Sequence, residues 1–225
     1  MKISVIIPIL DEPLLLEERL RALAGWRQAG HEIIVVDGGS QQPISASLLE
    51  LMDHFARTGS GRALQMNHGA GLASGDILLF LHVDTRVPER ADQLICAALL
   101  TDHHVWGRFD VRLSGSRLIF RIIERAISIR SHVTGIVTGD QGLFVRRSVF
   151  QQLGGYAAIP LMEDVAISKG LRRISWPVRI KEPVVTSSRR WEERGILKTI
   201  LLMWWLRLRY FFGASPDELV KIYYR

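Results

Sequence analysis

The stretch GDILLFLHVDTRVP, Gly75 to Pro88, runs through the apolar residues Ile77 to Leu81 and Val83 and then delivers a carboxylate, Asp84. Two earlier apolar runs end in the same way: ISVIIPI (3–9) is followed by Asp11 and Glu12, and EIIVVDG (32–38) closes around Asp37. One acid at a strand end is an ordinary turn-former or helix cap. Three on a common sheet edge describe a site in which some carboxylates hydrogen-bond a base and ribose while another holds a divalent cation. Mg²⁺ and Mn²⁺ take oxygen ligands and commonly bridge to substrate phosphates.

The acids share an edge only if their strands lie in one sheet, and the patterning supplies it. PLLLEERLRALAGW (13–26) keeps a helical period between the first two strands, with Pro13 in a first-turn position. A short strand and a small-residue helix follow around GRALQMNHGAGLASG (61–75), ahead of the strand 77–83. Continuous apolar strands joined by helices predict an α/β fold with a mainly parallel, Rossmann-like sheet covered on both faces, and ligands bind such sheets outside the carboxyl ends of the strands.

A chain of 225 residues that is 48% hydrophobic supports one core and one domain, 1–225. MKISVIIPILDEP has too short an apolar run for a secretory signal, and the single cysteine, Cys96, fits a small core residue in a reducing compartment; the expected location is cytoplasmic. The chain has no G-x-x-x-x-G-K-[ST], and GAGLASG (69–75) puts Ser74 where a dinucleotide fingerprint needs its third glycine. G-x-S-x-G and H-E-x-x-H are absent, the seven histidines lack ligand spacing, and His82 beside Asp84 reads as a packing residue. Charge is uneven: net −4 over residues 1–100 and net +10 over 101–225, which points to an anionic partner or to a solvated basic face.

The blocks VIIPILDE, IIVVDGGS, GRALQMNHGAGLASGDILLFLHVDTRVP, TGDQGLFVRRSVFQQLGGY and LMEDVAIS, in that order, resemble the motifs of family 2 glycosyltransferases with the GT-A fold. Within that family the wording is similar to the small bacterial transferases associated with arsenosugar biosynthesis. The resemblance implies a nucleotide-sugar-binding half (1–100), an acceptor-side half (101–191) and a C-terminal helical segment (192–225). It implies a UDP- or GDP-sugar donor, an acceptor, a divalent metal (Mg or Mn) and an inverting transfer. Pro8, Glu12 and Asp37 match residues lining the nucleotide pocket, with Asp37 reaching the base, and Arg62 matches a basic residue facing the diphosphate. Asp84 stands in the D-x-D place, where Thr85 follows it instead of a second acid. Gly139 and Asp140 match a segment near the acceptor, and Asp164 matches the catalytic base. Asp164 opens an apparent helix, DVAISKGLRR, whose dipole would keep it ionised; a plain helix-start acid fits the same position. SSRRW (187–191) is similar to the Q-x-x-R-W segment of processive members, with Ser187 in place of Gln; Arg190 and Trp191 remain able to clamp diphosphate or acceptor, while the missing Gln argues against a processive synthase.

Two rival readings fit the chain less well. A non-enzymatic nucleotide- or nucleic-acid-binding protein has no use for aligned carboxylates, and the stacked aromatic sheet of single-strand readers is missing, so no nucleic acid is expected. A sugar nucleotidyltransferase calls for a Gly-rich, basic loop after the first strand, which LDEPLLLEER is not. RLIFRIIERAISIR (117–130) and GILKTILLMWWLRLRYFFG (195–213) are basic amphipathic helices, too interrupted by charge to span a bilayer. Such helices lie peripherally in a membrane interface, pack on the sheet, or join a homodimer.

Overall fold

The computed structural model describes residues 1–101 and 103–223, so the last two positions of the 192–225 segment lie outside the described residues. The chain alternates β1 (Ile3–Ile9), α1 (Pro13–Ala22), α2 (Ala24–Gln28), β2 (Glu32–Asp37), α3 (Ala46–Leu49), β3 (His54–Arg57), α4 (Arg62–Leu72), β4 (Ile77–Phe80) and α5 (Ala91–Ala98). It continues through β5 (Trp106–Leu113), α6 (Leu118–Thr134), a 3-10 turn at Gly139–Gln141, β6 (Leu143–Arg146), α7 (Arg147–Gln152), α8 (Glu163–Leu171) and β7 (Val178–Thr186). The C-terminal segment forms α9 (Arg189–Arg194), α10 (Ile196–Phe211) and α11 (Pro216–Tyr223).

The seven strands form one sheet in the order β3-β2-β1-β4-β6-β5-β7. Strands β3, β2, β1 and β4 pair in parallel, as do β5 and β7, and β6 alone runs against its neighbours. The expected mainly parallel sheet is therefore present, with helices on both faces. Its core follows the period-two geometry of a strand. Ile3, Val5, Ile7 and Ile9 of β1 pack with Leu16, Leu20 and Ile95 on one face, whereas Ile6 packs with Met66, Ala70 and Phe150 on the other. Every residue of β1 and β2 is buried, which is why their sequences read as unbroken apolar runs.

Two expectations shift. The helix foreseen over 13–26 breaks at Leu23 into two pieces, and the strand foreseen over 77–83 leaves its ladder after Phe80. The glycines of GAGLASG do not form a phosphate turn. Gly69 lies inside α4, where a Cβ would come within 2.6 Å of Ile6 Cγ2, so the small residue lets the helix approach β1.

Candidate active site

The carboxyl ends of β1 and β2 are bound together by a residue of α4. Gln65, buried, donates its Nε2 to the carbonyls of Ile9 and Val36, both at 2.8 Å. The loops beyond are tied to each other: the Asp11 amide donates to Ser40 Oγ at 2.9 Å, and the Gln41 amide to Asp11 Oδ1 at 2.8 Å. Between them opens a cleft of about 470 Å³ lined by Asp11, Glu12, Pro13, Ser40, Gln41 and Ile44, among others. Pro8 lies within β1 opposite Val36, buried, and is not among the lining residues. Asp37 sits under the cleft at 1% exposure. It accepts from the Gly39 amide, from the Ser40 amide and hydroxyl, and from Arg57 Nε. Burial pushes its pKa up, but these donors outweigh it and hold the carboxyl below the usual range.

At the exit of β4 the chain carries His82, Asp84 and Thr85. Arg19 of α1, 3% exposed, donates Nε to the Val83 carbonyl at 3.2 Å, which puts a buried cation behind Asp84. Thr85, in the place of a second acid, is fully buried; its Oγ1 lies 3.3 Å from Asp84 Oδ1 and 3.1 Å from Thr186 Oγ1 at the end of β7. It ties the exit of the central strand β4 to the end of the edge strand β7 instead of offering a further negative charge. Glu12 faces this exit. Burial first and the Asp84 carboxylate second push its pKa up, against the opposing pull of Arg189 and Arg62, and Arg189 Nη2 stands 4.0 Å from Glu12 Oε1.

The other wall comes from the strand that runs the opposite way. The 3-10 turn before β6 is closed by a reciprocal capping box between Thr138 and Gln141. Gly139 presses on His82, since a Cβ there would fall 2.5 Å from the imidazole Nε2. Burial, with Arg62 and Arg190 nearby, lowers the His82 pKa to about 3, so the ring is neutral. The Gly139 amide in turn donates to Asp164 Oδ2 at 3.3 Å, and the Val165 amide to Oδ1 at 2.7 Å. Asp164 and Glu163 open α8, where the helix terminus favours the ionised carboxylate and burial opposes it. Burial outweighs the terminus and raises the Asp164 pKa, helped by Asp140 and opposed by Arg207 and the two amides. Glu163 rises to about 7 through burial and the neighbouring Asp164. Asp140 keeps one buried oxygen, Oδ1, without a hydrogen-bond partner among the described residues, and so does the Nε of Arg130.

The sequence-predicted residues therefore divide. Glu12, Arg62, Asp84, Gly139, Asp140 and Asp164 come together around the strand ends, and Arg62 is the common neighbour: its charge acts on Glu12, on His82 and on Glu163. Arg190 lies close enough to depress His82 and holds its guanidinium 5.0 Å from the centre of the Tyr223 ring. Trp191 packs against Leu113, Phe120 and Ile123. Residues the motifs did not announce complete the site: Gln65, Arg19, His82, Arg189, Arg130 and Arg207. His82, beside Asp84, Gln65, within GRALQMN, and Arg189, within SSRRW, lay inside the motif blocks; Arg19, Arg130 and Arg207 carried no such signal.

No described group of three or more His, Cys, Asp or Glu side chains is arranged to hold a metal by itself. The donor set nevertheless fits a hard cation. Asp84 and Glu12 are neighbouring carboxylates, the Asp84 charge adding to burial in raising the Glu12 pKa, and Mg²⁺ or Mn²⁺ is commonly held by one or two carboxylates with substrate phosphates completing the shell.

A mainly parallel sheet with acids at its carboxyl edge and a reversed strand supplying the opposite wall is the GT-A arrangement. Residues 4–153 match the family described as Glycosyl transferase family 2, and the chain belongs to that family. It is 23% identical over 236 residues to a probable glycosyltransferase of Bacillus subtilis (strain 168), YdaM, covering 94% of this chain and 55% of that protein; it thus spans about half of its relative's length. Among solved structures it is similar to S. aureus TarS 1-349 in complex with UDP-GlcNAc (TM-score 0.65, 16% identity, 83% of this chain and 58% of the other). The mannosyltransferase PcManGT from Pyrobaculum calidifontis, with GDP-Man and Mn2+, gives a TM-score of 0.61 at 20% identity, over 83% and 56% of the two chains. Glucosyl-3-phosphoglycerate synthase from Mycobacterium tuberculosis, with Mn2+, UDP and phosphoglyceric acid, gives 0.64 at 16% identity, over 95% and 79%.

Proposed function

We propose that the chain transfers a sugar from a UDP- or GDP-sugar to an acceptor hydroxyl with inversion. The observation that carries this reading is the position of Arg62, whose charge acts on Glu12 of the β1 loop and on Glu163 beside Asp164, joining the two walls into one site. In this reading residues 1–100 hold the donor. The nucleoside lies in the cleft between the Asp11 and Ser40 loops, and the diphosphate faces Arg62 with Arg189 and Arg190 at hand. Asp84, with Glu12 facing it, holds Mg²⁺ or Mn²⁺, which when bound supplies positive charge to the diphosphate.

Residues 101–191 orient the acceptor. The acceptor oxygen attacks the anomeric carbon from the face opposite the diphosphate; its proton passes to a carboxylate oxygen of Asp164 as the bond from that carbon to the diphosphate oxygen breaks. A carboxylate with a raised pKa holds the proton it takes better than an ordinary one, and the Gly139 and Val165 amides keep both its oxygens aimed. Relatives whose structures hold UDP-GlcNAc or GDP-Man on the same fold support the donor class.

The test is ligand-induced thermal stabilisation with UDP-GlcNAc and GDP-mannose, each with and without Mn²⁺, because a ligand that binds only the folded state raises its stability with concentration. One of the two donors is expected to stabilise the chain in the presence of Mn²⁺, and Asp84→Asn to weaken that binding by roughly tenfold or more while the metal-free baseline stays put. Neither donor stabilising the protein under any metal condition would overturn the reading.

A further inference from the structure

Helices α6 and α10 lie side by side. Phe120 and Ile123 of α6 pack with Ile196 and Ile200 of α10 near their starts, and farther along Arg130 of α6 feels the charge of Arg207 on α10. The inner side of α10 is occupied, with Leu206 buried among Met162, Val165 and Leu219. The outer sides are bare. Leu118, Ile122, Ile129 and Val133 of α6 stand 62–83% exposed, and α10 adds Leu197, Leu201, Trp204, Trp205, Leu208 and Phe211. Exposed apolar residues at three- and four-residue steps give each of these two helices an apolar outer stripe, of the kind that marks an interaction surface.

From this we infer that the outer face of α6 and α10 is a docking surface for an anionic lipid bilayer. Charge selects the occupant. Of the charged side chains on these two helices and their immediate start, Arg130 and Arg207 face inward, Arg209 stands 3.4 Å from Glu218, and Arg117, Arg125 and Lys198 face outward against one acid, Glu124. That acid is used internally, accepting from the Leu113 amide at 2.7 Å and pairing with Arg121 at 3.0 Å. Arg117, Arg125 and Lys198 are exposed along the stripe. A second copy of the chain would set this basic face against itself, whereas anionic headgroups complement it and the Trp and Phe side chains suit the acyl boundary. No helix among the described residues is long and apolar enough to cross a membrane, so the mode is lying on the surface. Arg207, on the inner side of α10, acts on Asp164, so the docked face backs directly on the site wall.

The experiment is co-sedimentation of the full chain with phosphatidylcholine vesicles with and without phosphatidylglycerol, alongside quenching of tryptophan emission by brominated acyl chains. Binding to the anionic vesicles at low salt, its release by salt, and quenching that falls in Trp204→Phe/Trp205→Phe are expected. Arg125→Gln/Lys198→Gln should weaken vesicle binding roughly thirtyfold, about fivefold for each basic residue lost near the surface, with donor-induced thermal stabilisation unchanged. No sedimentation with anionic vesicles at low salt, or quenching that ignores positions 204 and 205, overturns the proposal. So does a stable dimer that Trp204→Glu converts to a monomer and that binds no vesicles. Donor binding is read separately, so failure here leaves the glycosyl-transfer reading standing.

Discussion

The two edges of the parallel strands hold the same chemical group in opposite conditions. At the amino edge, Glu32 enters β2 at 4% exposure, and burial pushes its pKa up. The hydroxyl of Ser4, the amide and hydroxyl of Ser74, the Gly75 amide and the Lys2 ammonium all donate to it, and they win, holding it at about 2. At the carboxyl edge, Glu12, Glu163 and Asp164 are also taken from water, but with fewer donors and with another acid at hand, Asp84 for Glu12, Asp164 for Glu163 and Asp140 for Asp164, and all three rise. A buried acid that serves the fold is surrounded until its charge is comfortable; acids kept for chemistry retain proton affinity. Asp37 lies on the carboxyl edge and yet is satisfied as Glu32 is, by the Gly39 and Ser40 amides, the Ser40 hydroxyl and Arg57.

The contrast breaks most sharply at Asp164. Asn keeps the shape and can still accept from the Val165 amide through its one oxygen, giving up the 3.3 Å contact with the Gly139 amide, but it takes no proton, so Asp164→Asn should fold and bind donor while transfer falls by about 10²- to 10⁴-fold. Wild-type turnover in a hydroxyl-transfer assay would place Asp164 among the structural acids. At the other edge Glu32→Ala should do the reverse, costing roughly 1–3 kcal/mol in urea unfolding by stranding buried donors, with catalysis per folded molecule unchanged. Because the Glu32 pKa is depressed, its contribution is complete above the ordinary carboxylate range and is lost as pH falls toward about 2, a slope the variant should lack. A pH slope of the opposite sign is expected from Glu163. Its folded pKa is raised, so its ionisation opposes folding and stability should decline as pH climbs from about 4.5 towards about 7. Glu163→Gln should flatten that decline, and unchanged pH dependence of unfolding would show the charge to be already compensated.

The parallel part of the fold was legible because burial on both faces leaves long apolar runs, and the acids that end them stand out against those runs. β1 matches its predicted range residue for residue, Ile3–Ile9. The second half was legible only as motifs: β5 alternates buried and exposed positions near its end, β6 spans four residues, and β7 carries Lys181, Glu182 and Pro183. Long-range partners were not legible at all. Gln65 and Arg19 are a polar and a charged residue on helices whose other inward residues are apolar, and Arg207 belongs to a segment read for its amphipathic surface. Their roles come from which strand ends lie beneath them, which no local spacing encodes. The raised Asp164 was hidden for the same reason, since burial by distant elements outweighs the helix terminus that the sequence does show.

The reversal of β6 has a consequence for how the site can be remodelled. Glu12, Asp37 and Asp84 sit where the chain leaves a strand, whereas Gly139 and Asp140 sit where it enters one, and the ladder Phe80↔Leu143 to Ile77↔Arg146 fastens exit to entrance. The gap between the two walls is therefore gauged by main-chain pairing, and it stays constant whatever side chains the entering loop displays. Residues 135–138 lead into that entrance already fixed, since Gly135 closes α6 with a positive φ, Val137 is buried against Ser168 and Thr138 belongs to the capping box, so the wall that Gly139 presents is held from both sides of the turn.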